Sequence, residues 1–391
     1  MAKNKLNIGL IGKGFMGKAH SFAWSGVNRF FDTDFEPVLK VCAGTDIDST
    51  RAFADTWGWE EATDDWNAIV ERDDIDVVDI VSPTFTHDAI AIAAAESGKH
   101  VFCEKPAAVS YAKAKAMAEA ANKAGVVHYL NHNYRRVPAV IMAKKLIDDG
   151  RIGEIFHWRG TYLQDWIIDP GFPLTWHFKK ESAGGGPLYD LNSHSVDLAR
   201  YLVGEIDAVT AVQKTFTSER PLPGEGAAAF SSGTGAAESK GAVTVDDASF
   251  MIAEFNNGSL GSFNASRMAT GRKNWNDFEI YGSKGSLHWN FESMNELGFF
   301  DATKPAAEQG FTKISVTTGD HPYGNAWWAP GHIIGYENTF FHAVADFLKA
   351  VSEGGGLAPN LDDGASCIRV LEAAAKSSDE KRRVGIEEIT A

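Results

Sequence analysis

Residues 6–20 read LNIGLIGKGFMGKAH, an apolar run that enters Gly12-x-Gly14-x-x-Gly17 and then a helix-prone segment. Each glycine has its own physical task. Gly12 makes the tight turn off the strand, Gly14 lets a pyrophosphate approach the backbone, and Gly17 lets the next helix pack closely on the strand. Phe15 and Met16 open that helix, whose first N–H groups and positive dipole end suit phosphate oxygens. The triplet alone is a weak signal in a chain with 38 glycines. Its place, directly after a strand and opening a helix, makes it a dinucleotide loop and not merely a tight turn.

Outward from this loop, short apolar runs alternate with helical patterns. Strands are predicted over residues 6–11, 37–44, 77–81, 100–103 and 126–130, with Ala-rich helices over 88–96 and 111–124. Such alternation argues an α/β Rossmann domain, a doubly wound parallel sheet covered on both faces. Past Arg136 the texture changes. A helix over 139–148 leads to alternating strands over 156–166, 249–256, 259–266, 277–281 and 286–291, with turn signals at Asn257-Gly258 and Ser283–Gly285. That half is expected to be an α+β domain with a large, mostly antiparallel sheet. The boundary falls near 131–138, giving domains of 1–133 and 134–391. Residues 223–241 (PGEGAAAFSSGTGAAESKG) are rich in Gly, Ala and Ser and read as a mobile surface loop.

Lys and Arg number 37 against 52 Asp and Glu, a formal charge of −15. That balance disfavours nucleic acid and anionic membranes and suits small, neutral or modestly charged ligands. No stretch approaches the ~18 apolar residues of a membrane span. The N-terminal run enters a glycine loop and not a cleavage site. Three cysteines (Cys42, Cys103, Cys367) lie far apart without metal-ligand spacing, so reduced thiols in a cytoplasmic protein are expected. No metal site is expected from the twelve histidines.

Three further features carry chemistry. Asp46 follows the second strand, where a carboxylate binds the adenosine ribose and repels a 2′-phosphate, favouring NAD over NADP. Its distance from Gly17 exceeds the usual ~20 residues, which an extra loop over 28–37 explains. The rival is Asp48, and either can simply cap the helix that starts near Ser49. Cys103-Glu104-Lys105-Pro106 closes a strand at the carboxyl edge of the sheet, where ligands of doubly wound folds bind. Residues 184–202 (GGGPLYDLNSHSVDLARYL) predict a helix with proline in its first turn. Leu188, Leu191, Ser195, Leu198 and Leu202 form its buried stripe, and Asp190 and His194 at i,i+4 face each other beside it. A carboxylate beside an imidazole suits a general acid–base, or is only a helix-stabilising pair.

These residues resemble the Gfo/Idh/MocA (glucose–fructose oxidoreductase / inositol dehydrogenase) family. The carriers are GLIGKGFMGKAH, the segment at 82–87 (SPTFTH), Glu-Lys-Pro at 104–106, HNYRRVPA from His132, and Asp190-x-x-x-His194, over nearly the whole chain. The resemblance implies an NAD-dependent oxidation of a secondary alcohol on a pyranose sugar, anhydrosugar or cyclitol. Lys105 would polarise the reacting hydroxyl, His194 accept its proton, and Asp190 orient both. Ser82, Pro83 and His87 would line the cofactor path, and Glu104 would lie beside the nicotinamide ribose. A homodimer or homotetramer through the open face of the second domain's sheet is expected.

Side chains alternate along a strand, so Tyr162, Gln164 and Trp166 share a face. With Arg135 they are candidates for substrate binding, or this face is core beneath the Asp190 helix. Relatives tend to carry Arg where this chain has His177 after Trp176, so His177 joins the candidates. Trp327-Trp328 and His321-Pro322-Tyr323 could close over a sugar or form a packed loop or subunit contact. Two alternatives use the same scaffold: an NAD-dependent glycoside hydrolase or lyase, and a non-catalytic sugar or nucleotide sensor. For a hydroxy acid substrate, Arg135 and Arg136 would be the carboxylate clamps.

Overall fold

The computed structural model describes residues 3–223 and 239–391, so most of the loop expected at 223–241 lies outside the described residues. The chain divides into two compact units.

In the first unit six parallel strands, β1 (Asn4–Ile11), β2 (Phe35–Ala43), β3 (Glu61–Thr63), β4 (Val77–Ile80), β5 (His100–Glu104) and β6 (His128–Asn131), pair in the order β3-β2-β1-β4-β5-β6. Helices α1 (Phe15–Gly26), α2 (Ile47–Trp57), α3 (Asn67–Val70), α4 (His87–Glu96) and α5 (Tyr111–Ala124) connect them. This is the doubly wound Rossmann order. It reverses between β1 and β4, and there the carboxyl ends of the strands open a crevice. β3, three residues long, was too short to show as a pattern.

In the second unit α6 (Pro138–Asp148), β7 (Ile155–Leu163), and the short helices α7 (Lys180–Ala183) and α8 (Pro187–Asp190) precede α9 (Asn192–Leu202). The remaining strands are β8 (Ile206–Lys214), β9 (Glu219–Pro221), β10 (Lys240–Ala242), β11 (Ala248–Phe255), β12 (Leu260–Ser266), β13 (Trp275–Gly282), β14 (Gly285–Asn290), β15 (Glu296–Asp301), β16 (Phe311–Ser315) and β17 (Val384–Gly385). Nine of these form one sheet, β16-β15-β14-β13-β7-β12-β11-β8-β17; β9 and β10 form a separate pair. Every pairing in the large sheet is antiparallel except β7 with β12. The helices α6, α8 and α9 pack on one face. On the other face Val212, Phe250, Ile252 and Leu260 are exposed. The sequence reading left out β8, β15, β16 and the short pairs, and ran β7 three residues too far.

Two helices follow, α10 (Asn338–Glu353) and α11 (Leu361–Glu380). The first unit runs to Arg136 and takes back Thr318–Ser366, and the second holds Val137–Thr317 and Cys367–Thr390. The expected division at 133/134 therefore differs from the compact units, chiefly through this return. Its cause is apolar burial. α10 places Phe340, Phe341, Val344, Phe347 and Leu348 in one core with Trp24, Val27, Phe102 and Tyr129.

The glycine loop is held by close approach. Gly12 has φ +114°, and a Cβ there would stand 2.7 Å from the Val81 carbonyl. A Cβ on Gly17 would stand 2.8 Å from the Gly12 carbonyl oxygen, whereas Gly14 faces open space. Gly17→Ala therefore has to move α1 off the strand. Such overpacking costs typically 1–3 kcal/mol, and we expect a lower Tm with weakened dinucleotide binding. Thermal unfolding with and without cofactor checks this, and an unchanged midpoint would contradict the close packing.

Candidate active site

The first unit carries the loop residues and the Glu104-Lys105 turn. No side chain caps α1 at Gly14, so its first N–H groups are left for phosphate oxygens. With space at Gly14 and a wall at Gly12 and Gly17, the loop fits a dinucleotide. Phe15 is exposed and stacks on Tyr336 (centroids 6.1 Å, planes 7° apart). The Tyr336 hydroxyl points at the Met16 Sδ from 3.9 Å. The Ser82 hydroxyl bonds that of Thr86 at 2.6 Å. Pro83 begins that turn, and its carbonyl accepts from Thr86. His87 is buried, its ring nitrogens facing the carbonyls of Ser82 (2.8 Å) and Pro106 (3.1 Å). Burial pushes its pKa down. It ties the 82–87 turn to the Lys105 turn instead of facing outward.

Glu104 is turned into the core. Its Oε1 lies 2.9 Å from His20 Nε2 and accepts from Asn131 Nδ2 at 2.6 Å, while Oε2 accepts from the Lys105 N–H at 3.1 Å. The resemblance implied a place beside the nicotinamide ribose; a buried carboxylate must be hydrogen-bonded, and these groups engage both oxygens. Lys105 itself is half-buried. Arg135 is buried and ion-paired with Asp363 at 3.6 Å, and Arg136 with Asp346 at 3.0 Å. Trp327 packs on Phe30 (4.5 Å) and donates to His342 Nε2 at 2.7 Å. Burial holds the His342 pKa down at about 3, which keeps it a neutral acceptor. The packed-loop reading fits Trp327.

Asp46 is exposed and caps α2, accepting from the Ser49 N–H at 2.9 Å. The Ser49 hydroxyl also donates to Asp46 and receives Lys13 Nζ. The Ser49 bonds, with Lys13 nearby, lower the Asp46 pKa. Asp48 instead pairs loosely with Arg51 at 3.5 Å. Carboxylate and ammonium thus stand together after β2, and the ammonium weakens the barrier to a 2′-phosphate. We expect NAD to bind at least about tenfold tighter than NADP. Asp46→Ala should narrow that gap and Lys13→Ala widen it. Calorimetric titration of both cofactors decides, and equal affinities in the parent would remove Asp46 from the ribose.

In the second unit the candidates form a connected arc. Tyr162 OH and Gln164 Nε2 both donate to Asn274 Oδ1 at 2.8 Å, and Trp166 Nε1 donates to Gln164 Oε1 at 2.8 Å. The Arg267 guanidinium lies over the Trp166 ring (5.1 Å) and donates to Asp190 Oδ2 at 2.7 Å. The Tyr162 and His194 rings lie 5.7 Å apart. His177 is buried, stacked on Trp176 (3.8 Å), edge-on to Trp166 (5.9 Å) and bonded to the Thr175 hydroxyl at 3.1 Å. Gln164 and Trp166 lie beyond the end of β7, so strand alternation does not set their face; what joins them to Tyr162 is the hydrogen-bonded chain through Asn274.

The helix expected over 187–202 is broken. α8 stops at Asp190, Leu191 forms a turn, and His194 N–H donates to the Leu191 carbonyl at 3.1 Å. Asp190 and His194 are therefore not on successive turns of one helix. Asp190 is anchored from outside by Arg267. The predicted stripe Leu188, Leu191, Ser195, Leu198 and Leu202 is buried, but so are Asn192, Ser193, His194 and Asp197, so α9 is enclosed nearly all round. Sequence reasoning missed Arg267 and Asn274. Arg267 had a signal: a lone arginine closing an alternating strand (FNASR).

No helix among the described residues is long and apolar enough to cross a membrane. Among the same residues no cluster of His, Cys, Asp and Glu is arranged to hold a metal ion.

Comparison with known proteins agrees with this architecture. Residues 6–132 match the model of an oxidoreductase family with an NAD-binding Rossmann fold, and 140–288 match the GFO/IDH/MocA C-terminal domain. Levoglucosan dehydrogenase of Pseudarthrobacter phenanthrenivorans is 45% identical over 99% of both chains. Inositol 2-dehydrogenase of Rhizobium meliloti is 28% identical over 97% of this chain and 99% of that one. The structure of a levoglucosan dehydrogenase with NADH and levoglucosan is 43% identical, with a TM-score of 0.92 over 98% of this chain and 100% of that one. An alternating first half, a Rossmann strand order, a glycine cradle and a second sheet with its own match lead to one assignment: the chain belongs to the GFO/IDH/MocA family of NAD-dependent oxidoreductases.

Proposed function

We propose that the chain oxidises a secondary alcohol on a neutral six-membered ring, with an anhydrosugar of the levoglucosan type the first candidate and pyranose sugars and cyclitols next. The observation that carries this is the arc Tyr162–Asn274–Gln164–Trp166–Arg267–Asp190 beside His194. Indole and phenol plates suit the C–H face of a sugar ring, and amides, phenol and carboxylate suit its hydroxyls. The relative that is 45% identical acts, by its name, on levoglucosan. Gly12, Gly14, Phe15, Met16, Asp46, Ser82 and Pro83 would hold NAD, which supplies the hydride acceptor, and His87 would brace the Ser82-Pro83 turn from behind. His194 would take the hydroxyl proton, Lys105 would polarise that hydroxyl, and Asp190, fixed by Arg267, would orient the ring. Arg135 and Arg136, already paired with Asp363 and Asp346, are poorly placed to clamp a carboxylate substrate.

His194→Ala should lower turnover roughly 10²–10⁴-fold with NAD binding nearly intact, and Lys105→Met should do comparable damage. Their combination should fall far short of the product if both serve one proton transfer. A panel of levoglucosan, inositols, glucoses, glycosides, 2-hydroxy acids and linear alcohols, followed by NADH formation at alkaline pH, tests the substrate class. Rings should react and acids and linear alcohols stay inert. Preference for a hydroxy acid would refute the reading, and glycoside cleavage without net NADH would favour the hydrolase alternative.

We further propose a cytoplasmic setting and a homodimer or homotetramer. Cys42 and Cys103 are buried thiols, which suits a reducing cytoplasm. The open sheet face, with Val212 opposite Phe250 and with Ile252 and Leu260 exposed nearby, suits association of identical subunits. Phe250→Asp with Ile252→Lys should shift the light-scattering mass toward the monomer. An oligomer of unchanged mass would place the contact elsewhere.

A further inference from the structure

Strands of a doubly covered parallel sheet are expected to be apolar throughout, yet β4 carries Asp79 and β5 ends on Glu104. Both are buried, and the buried imidazole of His20 on α1 lies between them. Its Nδ1 is 2.9 Å from each Asp79 oxygen, and its Nε2 is 2.9 Å from Glu104 Oε1. Carboxylates only accept, so an imidazole with one at each nitrogen satisfies both only when it carries two protons. The rest of the cage is fixed as well. Trp24 Nε1 donates to Asp79 Oδ2 at 2.7 Å, and Asn131 Nδ2 donates to Glu104 Oε1 at 2.6 Å and lies 3.2 Å from His20 Nε2. Phe102 and Phe340 each stand 5.4 Å from the imidazole. The nearby Cys103 thiol is pushed up by burial and by both carboxylates, and stays neutral. Burial works against the Glu104 charge, and after His20 the Lys105 ammonium also favours it.

We infer that His20 is a positioning residue for Lys105: held as an imidazolium between Asp79 and Glu104, it fixes the carboxylate that grips the lysine's main-chain N–H. The inference rests on the role proposed above for Lys105. Burial alone would lower the His20 pKa, but Asp79 and Glu104 outweigh it and raise it to about 10. His20 also balances charge. Asp79, His20 and Glu104 together carry one net negative charge, which the Lys105 ammonium cancels. Without the imidazolium, the Glu104 carboxylate would lose its nearest cation and pull harder on that ammonium. Because α1 opens at the dinucleotide loop, His20 also joins that loop to the Lys105 turn.

A proton held in the folded chain and not in the unfolded one stabilises fully below the unfolded imidazole pKa of ~6.5. That contribution is lost as pH climbs through about 10. Full-length protein with ¹⁵N-labelled histidine should show one imidazole protonated at both nitrogens from about pH 6 to 9, absent in His20→Gln. If the signal that disappears in His20→Gln loses its second proton at or below ~6.5 in the parent, the inference is overturned.

His20→Gln/Asp79→Asn removes a cation and an anion together, so the core is left with no additional net charge. In that variant kcat should fall at least about tenfold while KM and the NADH Kd stay within about threefold. The alkaline limb of kcat should also move upward in pH. Parental kcat with a parental pH profile would reduce His20 to a structural role and sink the inference. If the variant does not fold, the parental histidine spectrum decides. Failure of the underlying reading looks different: Lys105→Met would then keep parental turnover while His20 stayed protonated.

Discussion

Gly12 and Gly17 touch as only glycines can, with the place of a Gly17 Cβ 2.8 Å from the Gly12 carbonyl oxygen. That approach seats α1 against the carboxyl edge of the sheet. It brings the helix N-terminus to where phosphates would lie. It also brings His20, one turn beyond Gly17, down onto β4 and β5. The Glu104-Lys105 turn is held from the other side by His87 through the Pro106 carbonyl. Removing one partner from a buried charged set costs roughly 3–5 kcal/mol, so this junction is among the least tolerant places in the first unit.

The second unit solves the same problem with strand ends instead of glycines. β7 and β12 run parallel in a sheet that is otherwise antiparallel, with Leu163 paired to Ser266. Both chains therefore leave the sheet side by side. One delivers Gln164 and Trp166, and the other delivers Arg267 onto the Trp166 ring and Asp190. The turn at Leu191 lets Asp190 reach Arg267 while α9 buries nearly all its faces. Asp246 starts the arrangement, accepting from the N–H groups of Gly186 (2.7 Å) and Leu188 (2.9 Å). Burial raises its pKa against those two bonds.

Legibility in the sequence followed the range of the interaction. α5 was readable to the residue because Ser110 caps it, alanines fill it and Gly125 ends it. The dinucleotide loop was readable because its three glycines lie within six residues. Part of β8 alternates, with Val209 and Ala211 buried and Thr210 and Val212 exposed, and this was overlooked. By contrast Asn274 meets Tyr162 across 112 residues and Arg267 meets Asp190 across 77. Those meetings depend on sheet register, which no local pattern encodes. The return of 318–366 to the first unit left no signal either, because α10 is an ordinary amphipathic helix whose partner core is remote. Asp79 is the intermediate case: a carboxylate inside VVDIV announces that something charged must answer it, without saying that it is His20.

Charge placement narrows the substrate further than shape does. The three candidate arginines are already answered: Arg135 by Asp363, Arg136 by Asp346 and Arg267 by Asp190. Replacing any of those carboxylates with a substrate's would exchange one ion pair for another and strand the first anion, a poor trade at buried sites. What the arc in the second unit offers beyond its ion pair is neutral: two amides, a phenol and an indole. Such groups discriminate by hydrogen-bond count and aromatic contact, and a ring bearing several hydroxyls satisfies both. With a chain of net charge −15 adding long-range repulsion to any anion, a neutral polyhydroxylated ring is the ligand that leaves no buried charge uncompensated.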